Sequence, residues 1–85
     1  MKTVTYTIKD QMGIHARPAG LLVKEVGKYK STITISNGTK EVDAKRLMAI
    51  MSLGIKQGQN VTFKIEGDDE AEAAAGMEAF LKANL

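Results

Sequence analysis

The sequence predicts a two-layer α+β domain over residues 1–85, with elements in the order β-α-β-β-α-β-α. Short stretches alternate apolar and polar residues with the period of a half-buried strand, while stretches between them repeat apolar residues with the period of a helix. A third observation joins these two. Each strand is apolar on one face only, so helices must cover that face and leave the other, rich in threonine, to water.

The elements follow in order. Thr3 to Ile8, TVTYTI, sets Val4, Tyr6 and Ile8 against threonines and reads as the first strand. Asp10 to Ile14 make a short loop. From Ala16 onward, Ala19, Leu22, Val23 and Val26 recur at helical spacing until Gly27 offers a stop. In STITISNGTKEVDA, two alternating runs, Ile33 with Ile35 and Val42 with Ala44, flank Asn37-Gly38. That dipeptide readily takes positive φ at both central positions of a tight turn, which predicts a hairpin. AKRLMAIMSLG carries Leu47, Ile50, Met51 and Leu53 before Gly54, a short amphipathic helix with more apolar surface than one buried face requires. Surplus apolar area can become a partner surface. Beyond the KQGQ loop, Val61, Phe63 and Ile65 alternate with Thr62, Lys64 and Glu66 as the fourth strand. In the last helix, Asp69 and Glu72 have capping-box spacing, acids crowd the first turn, and Lys82 stands near the end. Ala73, Met77, Phe80 and Leu81 form its buried stripe.

Composition narrows the function. With no cysteine there is no disulfide framework, thiolate nucleophile or Cys-based zinc site, and a single histidine makes a histidine-rich site implausible. No metal and no cofactor are expected. The lack of cysteine fits a reducing compartment. MKTVTYTIKD does not have the basic patch and apolar run of a signal peptide, and no stretch approaches bilayer-spanning length. The expectation is a soluble, cytoplasmic protein without direct membrane insertion. A formal charge of +2 is too small to argue for nucleic acid. Tyr6 and Phe63 fall in the inward register, which also argues against a sheet that stacks bases. An independent enzyme is weaker still, since the chain has neither a second histidine nor a paired acid.

The stretch GIHARPAG, Gly13 to Gly20, holds the one histidine and the one proline. His15 follows loop-like residues and precedes helical ones, so it lies at or just before a helix N-terminus, where unpaired amides favour an anion. Pro18 falls in the first turn, where its missing N–H costs no intrahelical bond and leaves the amides of Ala16 and Arg17 free. Gly13, Ala16, Ala19 and Gly20 are small and keep the surroundings open. Arg17 supplies the guanidinium that an oxyanion would need. Imidazole is mostly neutral near pH 7, and neutral imidazole is a nucleophile. These residues point to a reversible phosphoryl acceptor, with phosphate binding as the lesser alternative. A plain helix cap at His15 and a plain start signal at Pro18 are the structural alternative.

GIHARPA resembles the active-site segment of the histidine-containing phosphocarrier family, HPr, of the sugar phosphotransferase system. The likeness extends to KEV after the first helix, AKRLMAIMSLGI at the short helix and TFKIEGDDE before the last. It implies an open-faced β-sandwich, a four-stranded antiparallel sheet covered on one face by three helices. It implies that His15 takes a phosphoryl group on Nδ1 from phosphorylated enzyme I and passes it to the IIA domains of sugar permeases. Arg17 and the helix-start amides of Ala16 and Arg17 would hold the group, and Pro18 would set the helix start. The protein would be a relay without turnover of its own. The docking face implied by the family comprises Leu47, Met48 and Met51 flanked by Lys24, Lys28, Lys45 and Arg46. Met48 is expected to be exposed because it falls off the stripe of Leu47, Ile50 and Met51. A monomer is the default for a carrier that must expose its site. Signalling to non-transport partners through the same histidine chemistry stays open.

One position departs from the family. Many members carry a serine at the start of the short helix that a kinase phosphorylates to control sugar uptake, and this chain has Arg46 there. Arginine cannot accept the phosphate, and it puts a positive charge where the regulated form would carry a negative one. Ser52 is a poor substitute because of its helical context.

Overall fold

Which way each strand faces is decided by alternation, and the sheet assembles accordingly. In the computed structural model the elements are β1 (Lys2–Thr7), α1 (Ala16–Val26), β2 (Thr32–Ser36), β3 (Glu41–Asp43), α2 (Leu47–Ser52), β4 (Asn60–Glu66) and α3 (Glu70–Asn84). They form an open four-stranded antiparallel sheet with three helices, as the family resemblance implies, and the strands lie in the order β1-β4-β2-β3. Directly opposed residues of antiparallel strands share a face. Val4 lies opposite Phe63, Phe63 opposite Ile35 and Ile35 opposite Val42, so one apolar row crosses all four strands. A one-residue slip would turn that row to solvent, which is why the register is well specified.

The helices close over this face. Ala19, Leu22 and Val26 of α1, Ile50 of α2, and Ala73, Met77 and Leu81 of α3 join Phe63, Ile33, Ile35, Val61 and Ile65 in one core. Phe80 is only partly buried and packs at its margin. Each large apolar side chain buried this way stabilises the fold by about 1.5–3 kcal/mol. On the opposite face Thr5 and Thr62 are within 3.4 Å, and the Thr7 hydroxyl donates to Asn60 at 2.6 Å. Helices α1 and α3 approach closely because Gly76 leaves room for Tyr29. A Cβ at Gly76 would lie 1.8 Å from the Tyr29 hydroxyl, which donates to Glu25 at 2.8 Å. Burial and the Glu25 carboxylate push the Tyr29 phenol up to about 12. Burial alone would raise Glu25, but the bonds from Lys28 and Tyr29 bring it below its ordinary range.

Two local expectations are corrected. The β2–β3 hairpin forms around Asn37-Gly38, but Asn37 does not take positive φ, and only Gly38 does, at 99°. The connection is a four-residue loop in which the Asn37 side-chain oxygen accepts the N–H groups of Thr39 and Lys40 at 3.0 and 2.9 Å. Its side chain thereby replaces the backbone geometry of a two-residue turn. The capping box at Asp69 and Glu72 also does not form. Asp69 is the N-cap residue of α3, but its side chain makes no capping bond. Its carboxylate instead accepts the N–H groups of Lys30 and Ser31, at 2.8 and 2.9 Å, and the Ser31 hydroxyl. It ties the α1–β2 connection to the start of α3, a long-range demand that outweighs local capping.

This tie carries a pH signature. The Ser31 hydroxyl, followed by the Lys30 and Ser31 backbone N–H groups, holds the Asp69 carboxyl below its usual range. A carboxylate depressed in the folded state contributes stability above its unfolded titration, near pH 3.9. That stability is lost as pH falls through the lower folded value. Asp69→Asn should therefore lower the urea midpoint at neutral pH, with the gap to the parent closing as pH falls through the depressed folded titration of Asp69. Chemical denaturation at several pH values measures this, and a gap of constant size would contradict it.

Candidate functional site

The loop between β1 and α1 is held from below and from the side. The Ile8 N–H donates to the Gln59 carbonyl at 2.9 Å, and the Gly58 N–H returns a bond to Ile8 at 2.8 Å. The Leu85 carbonyl accepts Lys9 and Asp10 N–H groups at 2.7 and 2.9 Å, anchoring the loop to the end of α3. The Ile14 N–H donates to the Ile55 carbonyl at 3.1 Å while its side chain enters the core. Gly13 makes that close approach possible. Its φ is 67°, and a Cβ there would lie 2.3 Å from the Ile55 oxygen and 2.7 Å from the Lys56 Cα. Only glycine meets both demands.

His15 is the next residue and the N-cap of α1, in extended conformation with φ −98° and ψ −172°. Its side chain makes no capping bond and is one-third exposed, at 33%. The plain-cap reading of this histidine is thus not what the geometry presents. The first intrahelical bond runs from the Ala19 N–H to the His15 carbonyl at 3.0 Å. Ahead of it, the Ala16 and Arg17 N–H groups have no protein acceptor, and Pro18, buried in the first turn, has no N–H to offer. Arg17 is exposed and makes no ion pair. A free cation and two free amides therefore belong to the same helix start as the ring.

His15, Arg17 and Pro18 line one open cleft of about 320 Å³, together with Asp10, Leu21, Ala83 and Asn84. Sequence reading did not single out Asp10, Leu21, Ala83 or Asn84. Two of these reach the cleft from the far end of the chain, through a packing of α3 that no local pattern announces. Asp10 was legible only as a loop residue. Its Oδ1 accepts the Met12 N–H at 2.8 Å and lies 3.9 Å from His15 Nε2. No cluster of three or more histidine, cysteine or acidic side chains forms a metal-ligating group.

Helix α2 packs against α1. Met48 is 75% exposed, as its place off the apolar stripe predicts, and Leu47 and Met51 are exposed as well, at 39% and 37%. Only Ile50 of α2 is buried. Lys24, Lys45 and Arg46 are exposed without ion pairs. Lys28 differs from them, because its ammonium is engaged by Glu25 at 3.0 Å beside the α1–α3 contact.

Gly13→Ala combines a left-handed backbone with a backbone clash, so it should cost at least about 1–2 kcal/mol from conformation alone. The loss should be concentrated in the loop, with the Ile14 amide exchanging faster than core amides such as that of Phe63. Hydrogen exchange resolves the two, and uniform acceleration would contradict the local role.

Comparison with known proteins bears on this geometry. The family model PTS-HPr, described as the PTS HPr component phosphorylation site, matches residues 2–83. The phosphocarrier protein HPr of Mycoplasma pneumoniae is 42% identical over 83 residues, covering 96% of this chain and 94% of that protein. The crystal structure of HPr-C-His from Thermoanaerobacter tengcongensis superposes with a TM-score of 0.93 at 44% identity, covering 99% of this chain and 94% of that one. The structure of an HPr dimer from the same organism gives 0.76 at 44% identity, with 98% and 95% covered.

Proposed function

The chain belongs to the HPr family of phosphocarriers of the phosphotransferase system, carriers that are not catalysts in themselves, and from that membership we propose His15 as its phosphoryl acceptor. The observation that carries the proposal is the junction at the start of α1. An uncapped imidazole stands beside two unpartnered amides and an unpaired guanidinium. Neutral imidazole attacks phosphorus through a ring lone pair. The phosphoryl oxygens then take hydrogen bonds from the Ala16 and Arg17 amides and charge from Arg17. Each charge-assisted bond contributes about 1.5–3 kcal/mol before solvent screening. In an open cleft this holds the group without trapping it.

The donor we infer is phosphorylated enzyme I, and the acceptors are IIA domains of sugar permeases. Leu47, Met48 and Met51 offer an adaptable apolar patch, since methionine repacks readily against different partners. Lys24, Lys45 and Arg46 surround it with positive charge that speeds encounter with acidic surfaces. Lys28 contributes less to that field because Glu25 neutralises it. Transfer between partners needs the cleft uncovered, which favours a monomer as the working form.

Arg46 stands at the N-cap of α2 with no side-chain capping bond. If the family's regulatory serine belongs at this position, its branch of control is absent here and the protein remains relay-competent.

The proposal is tested with phosphoenolpyruvate and enzyme I. The parent should gain one acid-labile, base-stable phosphate by mass, and His15→Ala should gain none. Equal labelling of His15→Ala would refute the assignment. Arg17→Ala should remain folded and accept the group at least about tenfold more slowly, the loss of one charge-assisted contact. Incubation with an ATP-dependent HPr kinase should leave the parent unmodified, and a stable phosphoserine would overturn the reading of Arg46.

A further inference from the structure

We infer that Asp10 is a positioning residue for His15, holding the proton on Nε2 so that Nδ1 carries the attacking lone pair. The inference rests on His15 being the acceptor and adds to it a named partner on the far side of the ring. Asp10 Oδ1 lies 3.9 Å from Nε2. The two ring nitrogens point in diverging directions, and by the covalent structure of the side chain Nδ1 is the one nearer the backbone. An anion on the Nε2 side therefore favours the tautomer in which Nε2 bears hydrogen and Nδ1 is free.

The carboxylate is placed to do this by bonds unrelated to the histidine. Its Oδ1 accepts the Met12 N–H at 2.8 Å, and its own backbone N–H donates to the Leu85 carbonyl at 2.9 Å. Asp10 is thus fixed in the loop before any phosphate arrives. The charged side chains lining the cleft are few. The loop supplies Asp10, α1 supplies Arg17, and α3 contributes only the uncharged Ala83 and Asn84. The ring thereby has an anion on its Nε2 side and shares the cleft with one cation, Arg17.

The group-transfer step balances without a base. With phosphoramidate as a small donor, the Nδ1–P bond forms as the donor P–N bond breaks. The donor nitrogen is already protonated as P–NH3⁺, so the bonding pair leaves with it and it departs as neutral ammonia. Nε2 keeps its proton throughout, so the ring becomes a phosphoimidazolium whose positive charge faces Asp10. The same charge prepares the next transfer, because a ring protonated at Nε2 leaves as neutral imidazole.

Phosphoramidate also separates chemistry from partner docking. Asp10→Asn removes the charge but keeps an oxygen to accept the Met12 N–H, and Asp10→Glu restores the charge at a longer reach. Uptake of phosphate by Asp10→Asn should be up to about fivefold slower than by the parent, the upper end for a unit charge near 4 Å in an exposed pair. The pH profile for hydrolysis of its phosphorylated form should move to lower pH, because the phosphoimidazolium loses the anion that faces it. Asp10→Glu should recover part of both changes. Identical rates and superimposable profiles for Asp10→Asn and the parent would overturn the inference. Slower uptake with an unmoved profile would overturn it too, because that pattern marks a role in loop shape alone. Failure of the parent itself to take phosphate on His15 would instead remove the acceptor assignment beneath it.

Discussion

The carbonyl of Ile55 is the fixed point on which the presentation of His15 depends. It accepts the Ile14 N–H, and Gly13 passes so close to it that no side chain fits between them. Ile14 is held from both ends, by this bond and by its side chain in the core. The residue after it has nowhere to go but the start of α1. The backbone of His15 is therefore determined by packing two residues upstream, which leaves its side chain free of structural duty. A histidine that capped its own helix would spend its ring nitrogen on the backbone, and this one does not.

That arrangement is possible because the sheet is covered on one side only. The row Val4, Phe63, Ile35 and Val42 fixes the height at which the helices lie, and α1 enters it through Pro18, Ala19, Leu22 and Val26. Pro18 contributes twice, as buried apolar volume and as a residue whose lack of N–H leaves just two amides exposed ahead of the first helical bond. α3 crosses the same face and ends beside the loop, where the Leu85 carbonyl takes two of its N–H groups. The site is assembled from the beginning and the end of the chain, joined through the central β4.

Much of this was legible in the sequence, because period-two and period-3.6 patterns report directly on which side chains are buried. The strands, the helices and the position of His15 at a helix start all follow from them. Asn37 and Asp69 show where such reading stops. Both residue types are local signals, one for a tight turn and one for a capping box, and both side chains are used differently. Asn37 folds its own loop through its side-chain oxygen and also donates to the Leu53 carbonyl at 3.2 Å, while Asp69 reaches back to Lys30 and Ser31. A short polar side chain can satisfy several backbone partners at similar energy, and tertiary proximity decides among them. Asp10 escaped notice for the same reason. Nothing in its neighbours tells that a carboxylate five residues before a histidine will face the distal ring nitrogen.

A relay has to be weak on purpose, and the openness of the cleft sets that weakness. Were the amides, Arg17 and Asp10 buried, their fields would be strong and the phosphorylated ring would be a stable product. Here the imidazole is partly exposed and Arg17 is at the surface, so water and ions reduce each contact to a fraction of its dry value. With His15 as the proposed acceptor, what remains would bias where the proton and the phosphoryl oxygens sit without holding them against a partner that offers a better site. Under the proposed docking, a partner seated on Leu47, Met48 and Met51 and closing over His15 would exclude water from the cleft, and the same charges would act with less screening. On that reading the carrier's own groups are screened while it is free and gain strength only when a partner surface excludes the water around them.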